Sequence, residues 1–173
     1  MLDLLLKRRS IRKFKDQEVD KESINKIIKG ALTSPSSRNL KSWQIMVVTD
    51  KDLLKKLGET RGGASFPIKN GTLAMVIIAD PEITDVWIED ATIVAIIIQL
   101  ISHSLKLGSC WIQVRNRLTA NKVNVEKSVK DILNIPDKFR VECMIAIGHP
   151  DEEKAGHEVE KLAYDKVHYL KSP

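Results

Sequence analysis

Residues 87–107, WIEDATIVAIIIQLISHSLKL, constrain the fold more than any other stretch. Read as a helix, they are apolar on nearly every face, so the helix has no side suited to water and belongs at the centre of a domain. The longest apolar run within it, AIIIQLI, falls well short of the ~20 residues that span a bilayer. A buried helix over 87–107, stopped by Gly108, is therefore expected, with other elements packed around it.

The other elements follow from local pattern. Asp20 is a good N-cap for a helix over 20–33, where Ile24, Ile27, Ile28, Ala31 and Leu32 share one face. QIMVVT at 44–49, LAMVIIAD at 73–80 and VECMIAIG at 141–148 read as buried strands, and 109–114 as a short extended piece. Asp50 caps a short helix that Gly58 should end, and GETRGGASFP at 58–67 reads as loop. An amphipathic helix is expected over 124–134, broken by Pro136. After Pro150 the chain is charged and lacks a core-facing period, with a brief apolar return at Tyr164, Val167 and Tyr169. Such a tail is suited to wrapping a partner subunit. No linker divides the chain, so residues 1–173 are expected to form one domain, with 151–173 as its tail.

Charge narrows the function. The chain carries 28 Lys+Arg against 23 Asp+Glu, a formal net charge of +5. Six of those bases lie in KRRSIRKFK, residues 7–15, which holds no acid; elsewhere 22 bases face 23 acids. Nucleic-acid coating needs bases recurring over several elements, and stacking of single strands needs more aromatics than the 5% present. A local anion site, a basic arm or a solvated helix end all remain open. Cys110 and Cys143 sit outside any CxxC pattern, so a zinc site and a disulfide framework are disfavoured and a reducing cytoplasm is expected. The opening MLDLLLK does not read as a signal peptide. P-loop, GxGxxG, HExxH and GxSxG patterns are absent, and the four histidines share no helical spacing, so no metal site is expected.

Three segments could carry chemistry. Arg8, Arg9, Ser10 and Arg12 supply guanidinium forks and a hydroxyl suited to phosphate and to polar heterocycle edges. Pro35, Ser36, Ser37 and Asn39 form a turn whose amides and hydroxyls can face a ligand. LKLGSCWIQ at 105–113 follows the central helix and offers backbone N–H groups near Trp111, Ile112 and Gln113.

In order and spacing these segments resemble the nitroreductase family of FMN-dependent oxidoreductases, in particular its short members. The family's Arg-Arg-Ser-x-Arg-x-Phe signature is matched by RRSIRKF, and its Pro-Ser-Ser/Ala-x-Asn segment before a Trp by PSSRNLKSW at 35–43. The Leu-Gly-x-x-x-Trp-like segment is matched by LKLGSCWIQV, and the Ile-Gly-x-Pro strand end by IAIGHP. The resemblance covers nearly the whole chain. Two features depart from the pattern: Lys41-Ser42 replaces Gln-Pro before the Trp, and the insertion that covers the site in longer members is missing. The flavin face would then be open, or covered by the loop at 59–70.

The resemblance implies an α+β fold, a central mixed or antiparallel sheet flanked by helices, in an intertwined homodimer. It implies FMN held by Arg8, Arg9, Ser10 and Arg12 of one subunit and Pro35, Ser36, Ser37 and Asn39 of the other, with Trp111, Ile112 and Gln113 along the ring edge near N5. A tail cation would meet the phosphate, Lys154 or Lys161, and spacing favours Lys161. Hydride would pass from NAD(P)H to FMN and on to a nitroaromatic, quinone or activated alkene in ping-pong fashion, with no catalytic side chain required. The alternatives are another flavin role (dehalogenation or flavin remodelling) and a polyanion-binding module built on residues 7–15. Neither a membrane nor a nucleic-acid partner is expected.

Overall fold

The computed structural model describes residues 1–119 and 121–170. The final three residues of the expected tail, 171–173, lie outside the described residues. Four strands form one antiparallel sheet: β1 (Trp43–Val48), β2 (Leu73–Ala79), β3 (Gly108–Gln113) and β4 (Arg140–Gly148), in the order β1-β2-β4-β3. The expected α+β architecture is present. Both central strands are buried on both faces, which is why LAMVIIA reads as a continuous apolar run and VECMIAIG as one interrupted only by Glu142. Leu73, Met75 and Ile77 face one side, under α2 (Lys21–Leu32) and α5 (Trp87–Ser104). Ala74, Val76 and Ile78 face the other, with α3 (Lys51–Glu59), α4 (Phe66–Asn70) and α6 (Val125–Leu133). A short α1 (Leu2–Lys7) opens the chain.

The starts of α2, α3 and α6 obey simple capping chemistry. Asp20, Asp50 and Asn124 each accept a backbone N–H three residues on, at 2.8, 2.8 and 3.2 Å. Asn134, in the left-handed region at φ 52, closes α6 before Pro136 is reached.

Several expectations are corrected. The central helix ends at Ser104, not 107, and a tight turn with Lys106 at φ 62 delivers the chain directly into β3, so Gly108 begins a strand. Gly58 does not end α3 but lies inside it, because α4 presses there: a Cβ at Gly58 would stand 2.7 Å from the Lys69 backbone nitrogen. The stretch 58–67 is not all loop, since Pro67 sits in the first turn of α4, where its missing N–H costs nothing.

The strand at the β1 edge is only half covered, with Ile45 and Met46 half-buried and Val47 exposed. Leu32 of α2 is also exposed. Nor is α5 enclosed on all sides. Ala91, Val94, Ala95 and Ile98 pack on the sheet, whereas Ile96 stays 39% exposed and Ile93, Ile97 and Leu100 are half-buried beside it. By length and composition α5 could cross a membrane, but it buries Asp90, Gln99 and Ser102 in the domain, as a core helix does.

Candidate functional site

The basic segment is threaded between β3 and the tail. After α1 the backbone turns extended at Arg8, and Ser10 makes a parallel bridge with Ser109, whose carbonyl accepts the Ile11 N–H at 3.0 Å. Only glycine allows this approach, because a Cβ at Gly108 would lie 2.7 Å from the Ile11 side chain. Phe14 enters the core and bridges Pro150. The tail then returns along the segment. Lys15 and Asp151 bond to His149 and Lys13 across it at 2.9 Å each, and His157 donates to the Leu6 carbonyl at 2.7 Å. Arg9 donates to the Ala155 carbonyl.

This threading gathers charge. Lys154 Nζ donates to the Ser10 carbonyl at 2.8 Å and pairs with Glu152 at 3.2 Å. Glu152 in turn accepts the backbone N–H of Arg12 and that of Lys13, the latter at 3.2 Å. Those bonds, the Arg12 N–H foremost, hold its carboxyl below the usual glutamate range. Arg12, Lys154 and Arg8 all act on Cys110: burial pushes its thiol up, and these three cations oppose the shift. The bridge of Ser10 to Ser109 and the Lys154–Ser10 bond therefore gather Arg8, Arg12 and Lys154 toward one end of β3, with Glu152 among them.

The other end of β3 presents an open edge. In an antiparallel ladder successive residues point their N–H and C=O groups to alternate sides. Val114 donates to Glu142 at 3.2 Å, so Ile112 and Cys110 face β4, while Ser109, Trp111 and Gln113 face outward. Ile112 buries its side chain in the core and turns its backbone N–H and C=O toward β4. Among the described residues the outward N–H groups of Trp111 and Gln113 have no backbone acceptor.

A polar network fixes this edge. The Trp111 indole donates to Gln113 Oε1 at 3.0 Å, and the Gln113 amide donates to Glu142 Oε1 at 3.1 Å. Arg115 Nε closes the network on Glu142 Oε2 at 2.6 Å. A register shift between Ile77 and Ile78 leaves Glu142 unmatched opposite β2, which is how a buried acid reaches this position.

The PSSRN turn is a separate construction at the start of β1. Arg38, Asn39 and Lys41 all lie in the left-handed region, at φ 49, 56 and 47. Strained backbone of this kind clusters at functional sites and persists only where its surroundings enforce it. Here Asp90 of α5 accepts the Ser37 N–H at 2.8 Å and Ser36 Oγ accepts the Lys41 N–H at 2.9 Å. Pro35 and Asn39 are exposed. The buried polar atoms Ser34 Oγ, Ser42 Oγ, Trp43 Nε1 and Asp90 Oδ2 have no hydrogen-bond partner among the described residues, an excess of unused polar capacity around one turn.

The fold does not bring all expected site residues together. Ser109 is level with Leu73, whereas Trp43 is level with Ala79 on the opposite edge. Three strand spacings of ~4.8 Å and six residues at ~3.3 Å put the two corners roughly 24 Å apart on the diagonal. Arg8, Arg9, Ser10, Arg12 and Lys154 thus form one group beside Trp111, Ile112 and Gln113, and Pro35, Ser36, Ser37 and Asn39 form another. Lys161, favoured on spacing, pairs with Glu158 at 2.8 Å on an exposed face, and it is Lys154 that meets the basic segment. Sequence reading missed Glu152, Glu142, Arg115 and Asp90. The only signal for the last was an acid at the start of an otherwise apolar helix.

The donor set suits a phosphate-bearing heterocycle, with cations at one end of an edge and outward N–H groups at the other. The chain belongs to the nitroreductase family, whose model matches residues 5–69 and 61–149. Within that family it is most usefully set beside compact members. It is 51% identical to an FMN-dependent nitroreductase from Clostridium difficile R20291, with a TM-score of 0.96 over 99% of this chain and 100% of that one. A protein of Archaeoglobus fulgidus with the provisional name NADH dehydrogenase/NAD(P)H nitroreductase is 32% identical over 96% of this chain and 95% of its own length. An FMN reductase (NADPH) of Bacillus subtilis is 25% identical, over 86% of this chain and 65% of its own.

Proposed function

We propose that the chain is an FMN-dependent NAD(P)H oxidoreductase acting as a homodimer, with each flavin held between two copies. The observation that carries this reading is the bridge of Ser10 to Ser109, which brings Arg8, Arg12 and Lys154 toward one end of β3, beside outward N–H groups at the other. The names of the C. difficile and B. subtilis proteins supply the flavin, and those of the B. subtilis and A. fulgidus proteins the nicotinamide donor.

Within this reading each residue has a task. Arg8 and Lys154 neutralise the phosphate, with Arg9 and Ser10 completing its cradle. Arg12 places a positive charge at the pyrimidine side, where reduced flavin is anionic. The Trp111 and Gln113 N–H groups border the reactive edge, and the Glu142–Arg115 network keeps that edge fixed. Pro35, Ser36, Ser37 and Asn39 come from the second copy, which is the reason for their distance from the first group. No side chain is needed as acid, base or nucleophile. Bound FMN supplies the redox chemistry: hydride from NAD(P)H, then two electrons and two protons to the acceptor, so that a nitro group leaves as nitroso and water.

The dimer is supported by uncovered apolar surface. Ile93, Ile96, Ile97 and Leu100 form a stripe on α5, and Tyr164, Val167, Tyr169 and Leu170 stand exposed along the tail, Leu170 at 95%. Exposed apolar side chains on a helix stripe and along a tail are suited to an interface. The free thiols of Cys110 and Cys143 fit a reducing cytoplasm.

The test is optical. Purified protein should be yellow, release FMN on acid treatment and bleach anaerobically with NADPH or NADH. A colourless protein that FMN cannot reconstitute would sink the proposal.

A further inference from the structure

Arg61 stands at the outward edge of β3 without an assigned role. Its guanidinium donates to the Gln113 carbonyl at 3.4 Å, a long bond, and among the described residues no carboxylate lies within ion-pair distance of it. By contrast Arg115 and Arg140 are each held by a buried glutamate, Glu142 and Glu126. The backbone of Arg61 is nevertheless fixed. Its N–H donates to Ser65 Oγ at 3.0 Å, and that buried hydroxyl donates to the Gly58 carbonyl at 2.8 Å inside α3. The next two residues, Gly62 and Gly63, are exposed, and a Cβ built on either would meet nothing within 4 Å, so the loop that follows the half-buried Arg61 is open to solvent.

An arginine with an anchored backbone and no ion-pair partner among the described residues, beside a solvent-open loop at the strand edge, is arranged to receive an anion from solution. We propose that Arg61 is a specificity-determining residue that binds the anionic group of the electron acceptor, so that the site favours aromatic acceptors bearing a carboxylate. This rests on the flavin reading, in which the Gln113 edge borders the reacting ring. The guanidinium touching the Gln113 carbonyl is then within one small ligand of that ring. Arg8 and Lys154 cannot serve the same purpose, because in that reading they sit at the far end of β3 with the phosphate, and Arg12 is committed to the pyrimidine side of the ring.

The experiment compares holoprotein carrying Arg61, Arg61→Gln or Arg61→Lys. Benzoate, which accepts no electrons, is titrated by calorimetry. 4-nitrobenzoate and 4-nitrobenzyl alcohol are then compared as acceptors under steady turnover with saturating NADPH. In Arg61→Gln, benzoate should bind roughly tenfold more weakly, the size of one charge-assisted hydrogen bond. The kcat/KM for 4-nitrobenzoate should fall by the same factor while that for 4-nitrobenzyl alcohol holds, and Arg61→Lys should recover part of both losses. Unchanged benzoate affinity in Arg61→Gln, or equal losses for the two acceptors, would overturn the assignment. A protein without bound flavin would instead refute the flavin reading, and the absorbance spectrum separates the two failures.

Discussion

Removing the Lys154 ammonium probes the phosphate end of the site. Lys154 Nζ is held by the Ser10 carbonyl at 2.8 Å and by Glu152 at 3.2 Å, with its side chain 26% exposed. A charge-assisted hydrogen bond contributes about 1.5–3 kcal/mol, a factor of roughly 10 to 150 in affinity. Partial exposure screens the charge and pulls the expectation toward the lower end. Loss of Lys154 also leaves the Glu152 carboxylate uncompensated beside a dianion, which pulls the other way. Lys154→Ala should therefore weaken FMN binding about 10- to 50-fold. Riboflavin has no phosphate, so its affinity should hold within about twofold. Lys161→Ala should change neither, since Lys161 pairs with Glu158 on an exposed face. Fluorescence quenching of each flavin by the apoprotein reads all of these constants. Equal losses for FMN and riboflavin in Lys154→Ala, or a larger FMN loss in Lys161→Ala, would refute the reasoning.

Other consequences bear on the scaffold. Gly58→Ala drives a methyl into the Lys69 backbone, so α3 and α4 must separate; stability should fall by about 1–3 kcal/mol in urea denaturation despite alanine's better helix propensity. Glu126 takes Arg140 at 2.7 and 2.9 Å and the Val141 N–H at 2.9 Å; burial opposes its charge, but these bonds outweigh it and hold the carboxyl below its ordinary value of 4.5. Its contribution is thus complete above that value and is lost as pH falls through the lowered one, and Glu126→Gln should flatten this part of the acid unfolding curve. Ile96→Glu puts a carboxylate on the exposed stripe of α5, where a single chain tolerates it and a dimer does not. Light scattering should show a mass of 19.5 kDa instead of twice that, with the flavin lost.

Much of the framework was readable before any coordinates. The i, i+3, i+4 spacing in 20–33 and the largely apolar runs of β2 and β4 each have one simple physical solution. The readings that failed depended on packing against other elements or on position within an element. Gly58 looks like a stop signal until α4 packs on it. Pro67 looks like a breaker until it falls in a first helical turn. The all-round apolarity of 87–107 suggests a helix enclosed on every side, whereas one stripe of α5 stays partly exposed. Lys154 and Lys161 have the same chemistry, and only the path of the tail along residues 6–15 distinguishes them. Glu142 was hidden because a register shift carries it out of the alternation that a strand pattern assumes.

A composite site, one corner from each of two chains, is most directly tested by mixing two defective copies. A chain with Arg8→Glu lacks a phosphate ligand, and a chain with Ser37→Tyr blocks the turn at the opposite corner; each alone should purify without flavin. Co-expressed with different tags and isolated as a mixed dimer, they leave one site with both corners intact. The account predicts one FMN for every mixed dimer, released by acid and bleached by NADPH. A mixed dimer as colourless as its parents would contradict it, because both groups of residues would then have to serve the flavin from the same chain.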